Sequence, residues 1–359
     1  MIRFIKKRDR SALLLQLAAL MTVTLAMIVF TTRNLTGSVR VSSLDVVQSF
    51  TPDLPEISGL TTLPPGQETL GTQVLAVGDK RPGFVSIDTG KSGDSGQIHR
   101  FGDGLRHRYS LCHPDSGEKC KRMDKALVSD WEAIAVDGGG QLFLLQEFSS
   151  SVYVLDRKSL AVRERFRLDF SATDNRRWQN SPIRKKIRDK SLGEGMVLMR
   201  DGHLLVARER YPAALIEFGP AGDEPLGIGP ASWLRPGESF PLDRAARSPT
   251  GRQLVPLHIW QRPPGSKCDI SDLAVNGAGH LHLLSENCRK ITSYAALPAS
   301  TSLLQKVDGW LIPSAIQSPE ALAFDHLGRF ILGSDIKSGK PSLFIVKARK
   351  SGKRRDMTH

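Results

Sequence analysis

Short apolar runs separated by polar turns recur along most of the chain, and they alternate with the period of a strand. The clearest stretch spans residues 132–169, where EAIAVD, QLFLLQE, SVYVLD and ERFRLD follow one another between Gly, Ser and Asp turns. Tyr153 and Leu155, and then Phe166 and Leu168, show the alternation of half-buried strands. The pattern predicts four short strands in this stretch.

This four-strand unit is one copy of a repeat. Five phrases each begin an apolar run: ISGL at 57–60, WEAI at 131–134, GEGM at 193–196, ISDL at 270–273 and PEAL at 319–322. A turn, a second apolar run and an acidic residue follow each phrase. In the last four copies the polar residue of the phrase and this acid are 15 residues apart. Repetition of a four-stranded antiparallel unit predicts an all-β, five-bladed β-propeller over residues 38–347.

Two other architectures stay open. A sixth blade has room between Phe218 and Lys267, a segment that contains Pro-Leu-His-Ile-Trp but no acidic phrase. A β-sandwich of unequal sheets also has short strands, although it does not require a recurring phrase. The apolar segment Ser38–Phe50 predicts a strand before the first copy. We expect it to supply the outer strand of the last blade and so to close the ring.

The repeat predicts that polar residues gather at one end of the ring, because the first two strands of a blade form a hairpin. The phrases contribute Ser58, Glu132, Glu194, Ser271 with Asp272, and Glu320; the acids after the second runs are Asp79, Glu147, Glu209, Glu286 and Asp335. Crowded carboxylates need a raised pKa, a neighbouring cation or a bound metal ion.

Hard carboxylate oxygens favour Ca²⁺ or Mg²⁺. The arrangement therefore predicts a divalent cation, calcium, with Glu132, Glu194, Glu320 and Asp272 as ligands. Glu147, Glu209 and Glu286 are then candidates for a catalytic base or for a layer behind the ligands. Alternatively, the acids accept hydrogen bonds from backbone N–H groups of adjacent blades and lock the ring.

Basic residues near these acids are candidates for binding an anionic substrate. Arg208 and Arg210 flank Glu209, and Arg184 and Lys185 belong to a basic run before the third copy. A solvated loop that balances nearby carboxylates is the alternative for the basic run.

The four cysteines favour two disulfides. Cys268 lies three residues before Ser271 and Cys288 two residues after Glu286, so an antiparallel hairpin would place them opposite each other. Cys112 and Cys120 enclose a short polar loop. Paired cysteines suit an oxidising compartment; a zinc site is the competing interpretation, although the chain has no CxxC spacing.

The N-terminus predicts a membrane anchor. Residues 11–32 are uncharged and mostly apolar, and basic residues dominate positions 1–10, which should stay in the cytoplasm. A cleaved signal peptide is the alternative. Either way the propeller lies outside the cytoplasm, so we expect a single-pass inner-membrane protein with a periplasmic domain.

The net charge of +13 does not indicate nucleic acid binding. Residues 1–10 carry a net +4 and the stretch from Lys347 a net +5, so the folded domain itself is only mildly basic. The basic residues at 348–359 predict a solvated, disordered tail; attraction to anionic lipid is the alternative.

One pair of histidines has the spacing of two metal ligands on a strand. His280 and His282 alternate on a predicted strand and share a face. Since position 280 aligns with His203, Gln141 and Arg329 in the other copies, we interpret it as a variable polar position at the beginning of a strand.

The ordered phrases resemble a known family over residues 54–347. They are ISGL with LAVGD, DWEAIAVD with LFLLQE, LGEGMVLMRDGHLLVARER, DISDLAVN with LHLLSEN, and PEALAFD. They look like the esterase-like domain associated with phytase and the SdiA-regulated propellers of bacterial envelopes. The resemblance implies an exported β-propeller that hydrolyses an ester or phosphoester. Similarity to six-bladed calcium lactonases implies metal ligation by Glu132, Glu194 and Glu320.

Two functions follow as expectations. The first is a membrane-anchored, calcium-dependent hydrolase of an anionic ester or phosphoester. The second is a non-catalytic envelope propeller that binds a protein, glycan or signalling ligand.

Overall fold

The described part of the chain is all-β. The computed structural model describes residues 40–63, 72–81, 83–91, 93–101, 130–147, 149–169, 192–209, 213–248, 251–263, 265–294, 296–337 and 339–349. Within these ranges it contains 21 strands and one 3₁₀ turn at Arg200–Gly202. In the same ranges, no helix combines the length and the hydropathy that crossing a membrane requires.

The strands fall into five successive four-stranded segments, within hydrogen-bonded sheets of eight, nine and four strands. Segment 1 contains β2 (Ile57–Thr62), β3 (Gln73–Gly78), β4 (Gly83–Asp88) and β5 (Gln97–Arg100). Segment 2 contains β6 (Trp131–Val136), β7 (Gln141–Gln146), β8 (Ser151–Asp156) and β9 (Val162–Leu168). Segment 3 contains β10 (Leu192–Leu198), β11 (Leu204–Arg208), β12 (Ala214–Gly219) and β14 (Gly251–Gln261), with β13 (Arg247–Ser248) beside β14. Segment 4 contains β15 (Asp272–Val275), β16 (Leu281–Ser285), β17 (Lys290–Tyr294) and β18 (Lys306–Leu311). Segment 5 contains β19 (Pro319–Phe324), β20 (Phe330–Ser334), β21 (Leu343–Ala348) and β1 (Arg40–Phe50).

The segments pack side by side in a closed order, which is the arrangement of a propeller-type fold. The first strands contact each other in the order β2, β6, β10, β15, β19 and back to β2. Apolar clusters fill the spaces between neighbouring segments; one contains Leu75 and Trp131, and another contains Leu205 and Leu283. Further clusters join segments 2 and 3, 4 and 5, and 5 and 1. This distribution differs from a sandwich, in which one core lies between two sheets.

The N-terminal strand completes the last segment, as predicted. Strand β1 pairs antiparallel with β21, with Val46 opposite Val346 and Phe50 opposite Leu343. Just after β21, the side chain of Arg349 bonds that of Asp45 in β1, with Nη2 2.6 Å from Oδ1.

The segment Phe218–Lys267 contributes to segment 3. Its Pro-Leu-His-Ile-Trp phrase lies in β14, which pairs antiparallel with β12 and parallel with β9. In the described ranges, this part of the chain therefore adds no separate four-stranded unit.

One predicted disulfide is present. Cys268 and Cys288 are joined, with Cα atoms 5.3 Å apart, at the ends of the β15–β16 hairpin. Cys112 and Cys120, the apolar segment 11–32 and residues 350–359 lie outside the described residues.

Candidate functional site

In four of the five segments the polar residue of the repeat occupies a β-bulge. Pairing of the first two strands shifts register between Ile57 and Gly59, between Trp131 and Ala133, between Leu192 and Gly195, and between Pro319 and Ala321. These shifts bracket Ser58, Glu132, Glu194 and Glu320. A bulge leaves an extra residue without a ladder partner and turns its side chain away from the regular alternation. In four of the five segments the recurring phrase therefore marks where the first strand redirects a polar side chain, whereas the pairing of β15 with β16 is regular.

Three carboxylates come together at the beginning of segment 2. One oxygen each from Asp130, Glu132 and Glu147 lies within 4.8 Å of the others, and all three residues are partly buried. Oxygens that bind one Ca²⁺ at about 2.4 Å can be at most about 4.8 Å apart. The spacing and the hard oxygen donors thus fit a divalent cation.

Glu132 is partly buried among several other carboxyl groups. Burial, followed by the charges of Glu194 and Asp79, raises the pKa of Glu132 to about 11. A hydrogen bond shared with Asp79 and the charge of Asp130 act in the same direction. Without a cation, Glu132 therefore holds a proton at neutral pH.

Glu320 forms a second centre at the same end of the ring. Burial, followed by the charges of Asp335 and Glu286, raises the pKa of Glu320 to about 8. The charge of Asp79 raises the pKa of both Glu320 and Glu132. The two carboxyl groups therefore share an electrostatic environment. A carboxyl group with this pKa can gain or lose a proton near neutral pH.

Several residues at these positions join neighbouring segments. The Ser58 hydroxyl donates to the carbonyl of Trp131 at 2.6 Å, which links segments 1 and 2. Asp272 is buried, and its two carboxylate oxygens accept hydrogen bonds from the N–H groups of Leu273 at 2.7 Å and Leu322 at 2.6 Å. Both oxygens of Asp272 are therefore engaged in structure, and we leave this residue out of the proposed ligand set.

The remaining predicted site residues fall into two groups: some are described near the ends of strands, and others lie outside the described residues. The Arg208 side chain is buried at the end of β11, away from solvent. The Glu209 carbonyl accepts the N–H of Ile270 at 3.0 Å, which joins segments 3 and 4. The N–H of Glu286 donates to the Ser271 hydroxyl at 3.0 Å. Arg184, Lys185 and Arg210 lie outside the described residues.

Asp130 is a functional candidate that the sequence reasoning missed. It has a positive φ of 67° and lies two residues before Glu132. Glu56 and Asp269 occupy the equivalent positions before Ser58 and Ser271. In three of the five copies an acid thus lies two residues before the polar residue of the phrase. This recurrence was a sequence signal for a further acidic position at the same end of the ring.

Solved structures with similar folds are distant from this chain. Glutaminyl cyclase of Myxococcus xanthus aligns at 10% identity and a TM-score of 0.47, over 87% of this chain and 98% of that one. A streptogramin B lyase aligns at 11% identity and a TM-score of 0.40, over 85% and 98%. The β-propeller domain of Myceliophteria thermophila Cps50 (Swd1) aligns at 9% identity and a TM-score of 0.38, over 77% and 67%. At these values the likeness gives no information about activity.

No family model matches the chain, and no curated protein matches it in sequence. The resemblance to the esterase-like and SdiA-regulated propellers therefore stays an expectation.

Proposed function

We propose that the acidic end of the ring binds a calcium ion and that the protein is a metal-dependent hydrolase of an ester or phosphoester. The observation that carries this proposal is the close approach of Asp130, Glu132 and Glu147, whose oxygens lie within 4.8 Å of one another. Five segments separated by five apolar clusters support a five-bladed ring as the scaffold.

Asp130, Glu132 and Glu147 would hold the ion. Glu194 lies close enough for its charge to act on Glu132 and would contribute to the same negative field. When bound, calcium would polarise a substrate oxygen or a water molecule. Glu147, predicted as a base, takes the role of a ligand in this arrangement.

Glu320 is the group best suited to move a proton. Its pKa of about 8 leaves both protonation states populated near neutral pH, as a general acid or base requires. Burial raises this pKa most, and the charges of Asp335 and Glu286 raise it further. Their role would be to tune Glu320.

The disulfide between Cys268 and Cys288 supports an extracytoplasmic location, because such bonds persist in oxidising compartments. Together with the apolar segment 11–32, it supports the proposal of an inner-membrane anchor and a periplasmic domain.

Thermal unfolding of the full chain in detergent tests the metal site. With EDTA, Ca²⁺ or Mg²⁺ present, we expect Ca²⁺ to raise the melting temperature by several degrees, because a ligand that binds only the native state stabilises it. Glu132→Gln should abolish the rise, whereas Glu224→Gln, at an exposed position, should keep it. An equal calcium response in both variants would contradict the site.

A screen of ester and phosphoester substrates with Ca²⁺ then tests the hydrolase. Turnover should be lost in Glu132→Gln and in Glu320→Gln, while Glu224→Gln retains it. If calcium binds but no substrate is turned over, the proposal of a metal site stands and the proposal of a hydrolase is rejected.

One observation favours the second candidate, a non-catalytic binding propeller. Ser58 and Asp272 connect adjacent segments through hydrogen bonds, as expected of polar residues that lock the ring. Absence of a calcium response, together with a large loss of stability in Glu132→Gln, would support this second function.

A further inference from the structure

A cavity between segments 4 and 5 is separate from the acidic end. It has a volume of about 360 Å³ and lies beside Asn276, Gly328 and Arg329, in turns at the far ends of the first strands. Ligand pockets commonly have volumes of about 300–1,000 Å³. The cavity therefore has room for a small organic molecule.

One wall of the cavity is aromatic. The rings of Trp310 and Phe330 have centroids 5.1 Å apart, and those of Phe324 and Phe330 are 5.0 Å apart. The imidazole of His282 packs edge-on against Phe324 at 4.8 Å. All four rings line the cavity, so they offer an apolar surface suited to a planar aromatic group.

His282 supplies a hydrogen-bond acceptor to this cavity. Only 3% of the residue is exposed, and burial lowers the pKa of His282 to about 4, so the ring is neutral at pH 7. Its Nδ1 lies 3.1 Å from the carbonyl oxygen of His280, which only accepts hydrogen bonds, so Nδ1 carries the proton. Nε2 is then an acceptor, and no described residue donates a hydrogen bond to it.

Asp308 places a negative charge near this acceptor. His282, Ser293 and Asp308 are opposite one another across β16, β17 and β18, so their side chains share one face of the sheet. All three line the cavity, and the charge of Asp308 acts on His282. An ammonium group can donate to Asp308 and to Nε2, and it can also interact with the aromatic wall.

A positive charge borders the same cavity. Lys347 and Arg329 line it from segment 5, and the Arg329 Nε lies 2.5 Å from Asp325 Oδ2. Arg329 is paired with Asp325, whereas Lys347 lies opposite Asp45, which Arg349 already pairs, so Lys347 is the better candidate to bind a carboxylate. A ligand with an anionic group near Lys347 and a cationic group near Asp308 would complement both of these charges.

We propose that this cavity binds a free aromatic amino acid, with its ring on Trp310, Phe324 and Phe330. The ammonium group would contact Asp308 and His282 Nε2, and the carboxylate would contact Lys347. The class of ligand follows from one aromatic wall and two opposite charges around a single small cavity. This site is independent of the calcium site.

Isothermal titration of the full chain with three matched probes tests the proposal. L-phenylalanine has both charges, phenethylamine lacks the carboxylate and 3-phenylpropionate lacks the ammonium group. We expect L-phenylalanine to bind at least about tenfold more tightly than either analogue, because each analogue loses one charge-assisted contact. Absence of heat with L-phenylalanine, L-tyrosine and L-tryptophan would overturn the proposal.

Variants locate the binding. Asp308→Asn and Lys347→Gln should each weaken L-phenylalanine binding by roughly tenfold. Lys306→Gln, an exposed change at the beginning of β18, should leave it unchanged. Melting temperatures of all variants establish that they are folded. Binding that is unaffected by both cavity variants would place the ligand elsewhere and reject this site.

Discussion

The carboxylate of Asp272 accepts the backbone N–H of Leu322 at 2.6 Å and so joins the first strands of segments 4 and 5. Its other oxygen accepts the N–H of Leu273 at 2.7 Å. Two backbone donors therefore depend on one buried side chain. Burial raises the pKa of Asp272 well above its usual range, and the two N–H groups offset part of this rise. The residue acts as a connector between segments.

Asp272→Ala should lower the free energy of unfolding by about 2–4 kcal/mol, because it leaves two buried N–H groups without acceptors. Urea denaturation at pH 7 measures the change. Asp243→Ala, at an exposed position, is the matched control and should stay within about 0.5 kcal/mol of the original protein. An equally small effect at Asp272 would show that other groups satisfy the freed N–H groups.

The same carboxylate lies so close to position 195 that only glycine fits there. A Cβ at Gly195 would lie 2.6 Å from Asp272 Oδ1 and 2.9 Å from Leu273 N, whereas a Cβ at Gly277 would meet no atom within 4 Å. We expect Gly195→Ala to lower the melting temperature by several degrees through steric overlap. Gly277→Ala should cause little change. If both variants melt at similar temperatures, segments 3 and 4 can move apart enough to accommodate the added Cβ at little cost in free energy.

Glu320 should make the stability of the cation-free protein depend on pH. Its pKa is about 8 in the folded protein and 4.5 in the unfolded chain. The folded state therefore holds this proton more tightly. The resulting stabilisation is complete below about pH 4.5 and is lost as the pH rises towards about 8.

Melting temperatures in EDTA from pH 5 to pH 8 measure this effect. The fall with pH should be smaller in Glu320→Gln, which cannot ionise, than in the original protein. Glu224→Gln should reproduce the original slope. A Glu320→Gln slope identical to that of the original protein would mean that Glu320 does not hold the proton.

Removal of the Cys268–Cys288 disulfide should destabilise the domain. The bond closes a loop of 20 residues, for which the chain-entropy estimate is about 3 kcal/mol. A Cys268→Ser/Cys288→Ser double variant should therefore unfold at a lower urea concentration under non-reducing conditions. With a reducing agent, the original protein should shift towards the variant. No difference between the two proteins in the absence of the agent would contradict a stabilising role.

Features that depend on strand periodicity were predictable from the sequence. The pairing of β1 with β21 and the position of Cys268 opposite Cys288 both follow from the alternating pattern and the order of the repeats. Once four strands per repeat are assigned, these relationships need no knowledge of side-chain contacts.

The details of the candidate site were less predictable, because they depend on contacts between segments. The sequence suggested Asp272 as a ligand, but the N–H of Leu322 reaches its carboxylate from the next segment. Asp130 approaches Glu132 through a left-handed backbone conformation, which a two-residue pattern does not encode. The cavity near His282 is formed by residues from two segments and has no continuous sequence motif.

The pairing of β1 with β21 imposes an order on biosynthesis. Strand β1 ends at Phe50, and its partner β21 begins at Leu343, about 290 residues later. At synthesis rates of about 5–20 residues per second, β1 would wait about 15–60 s before β21 exists. During that interval the edge of β1 that will pair with β21 is available to other chains. This edge of β1 would therefore stay exposed on the nascent chain until β21 has been synthesised.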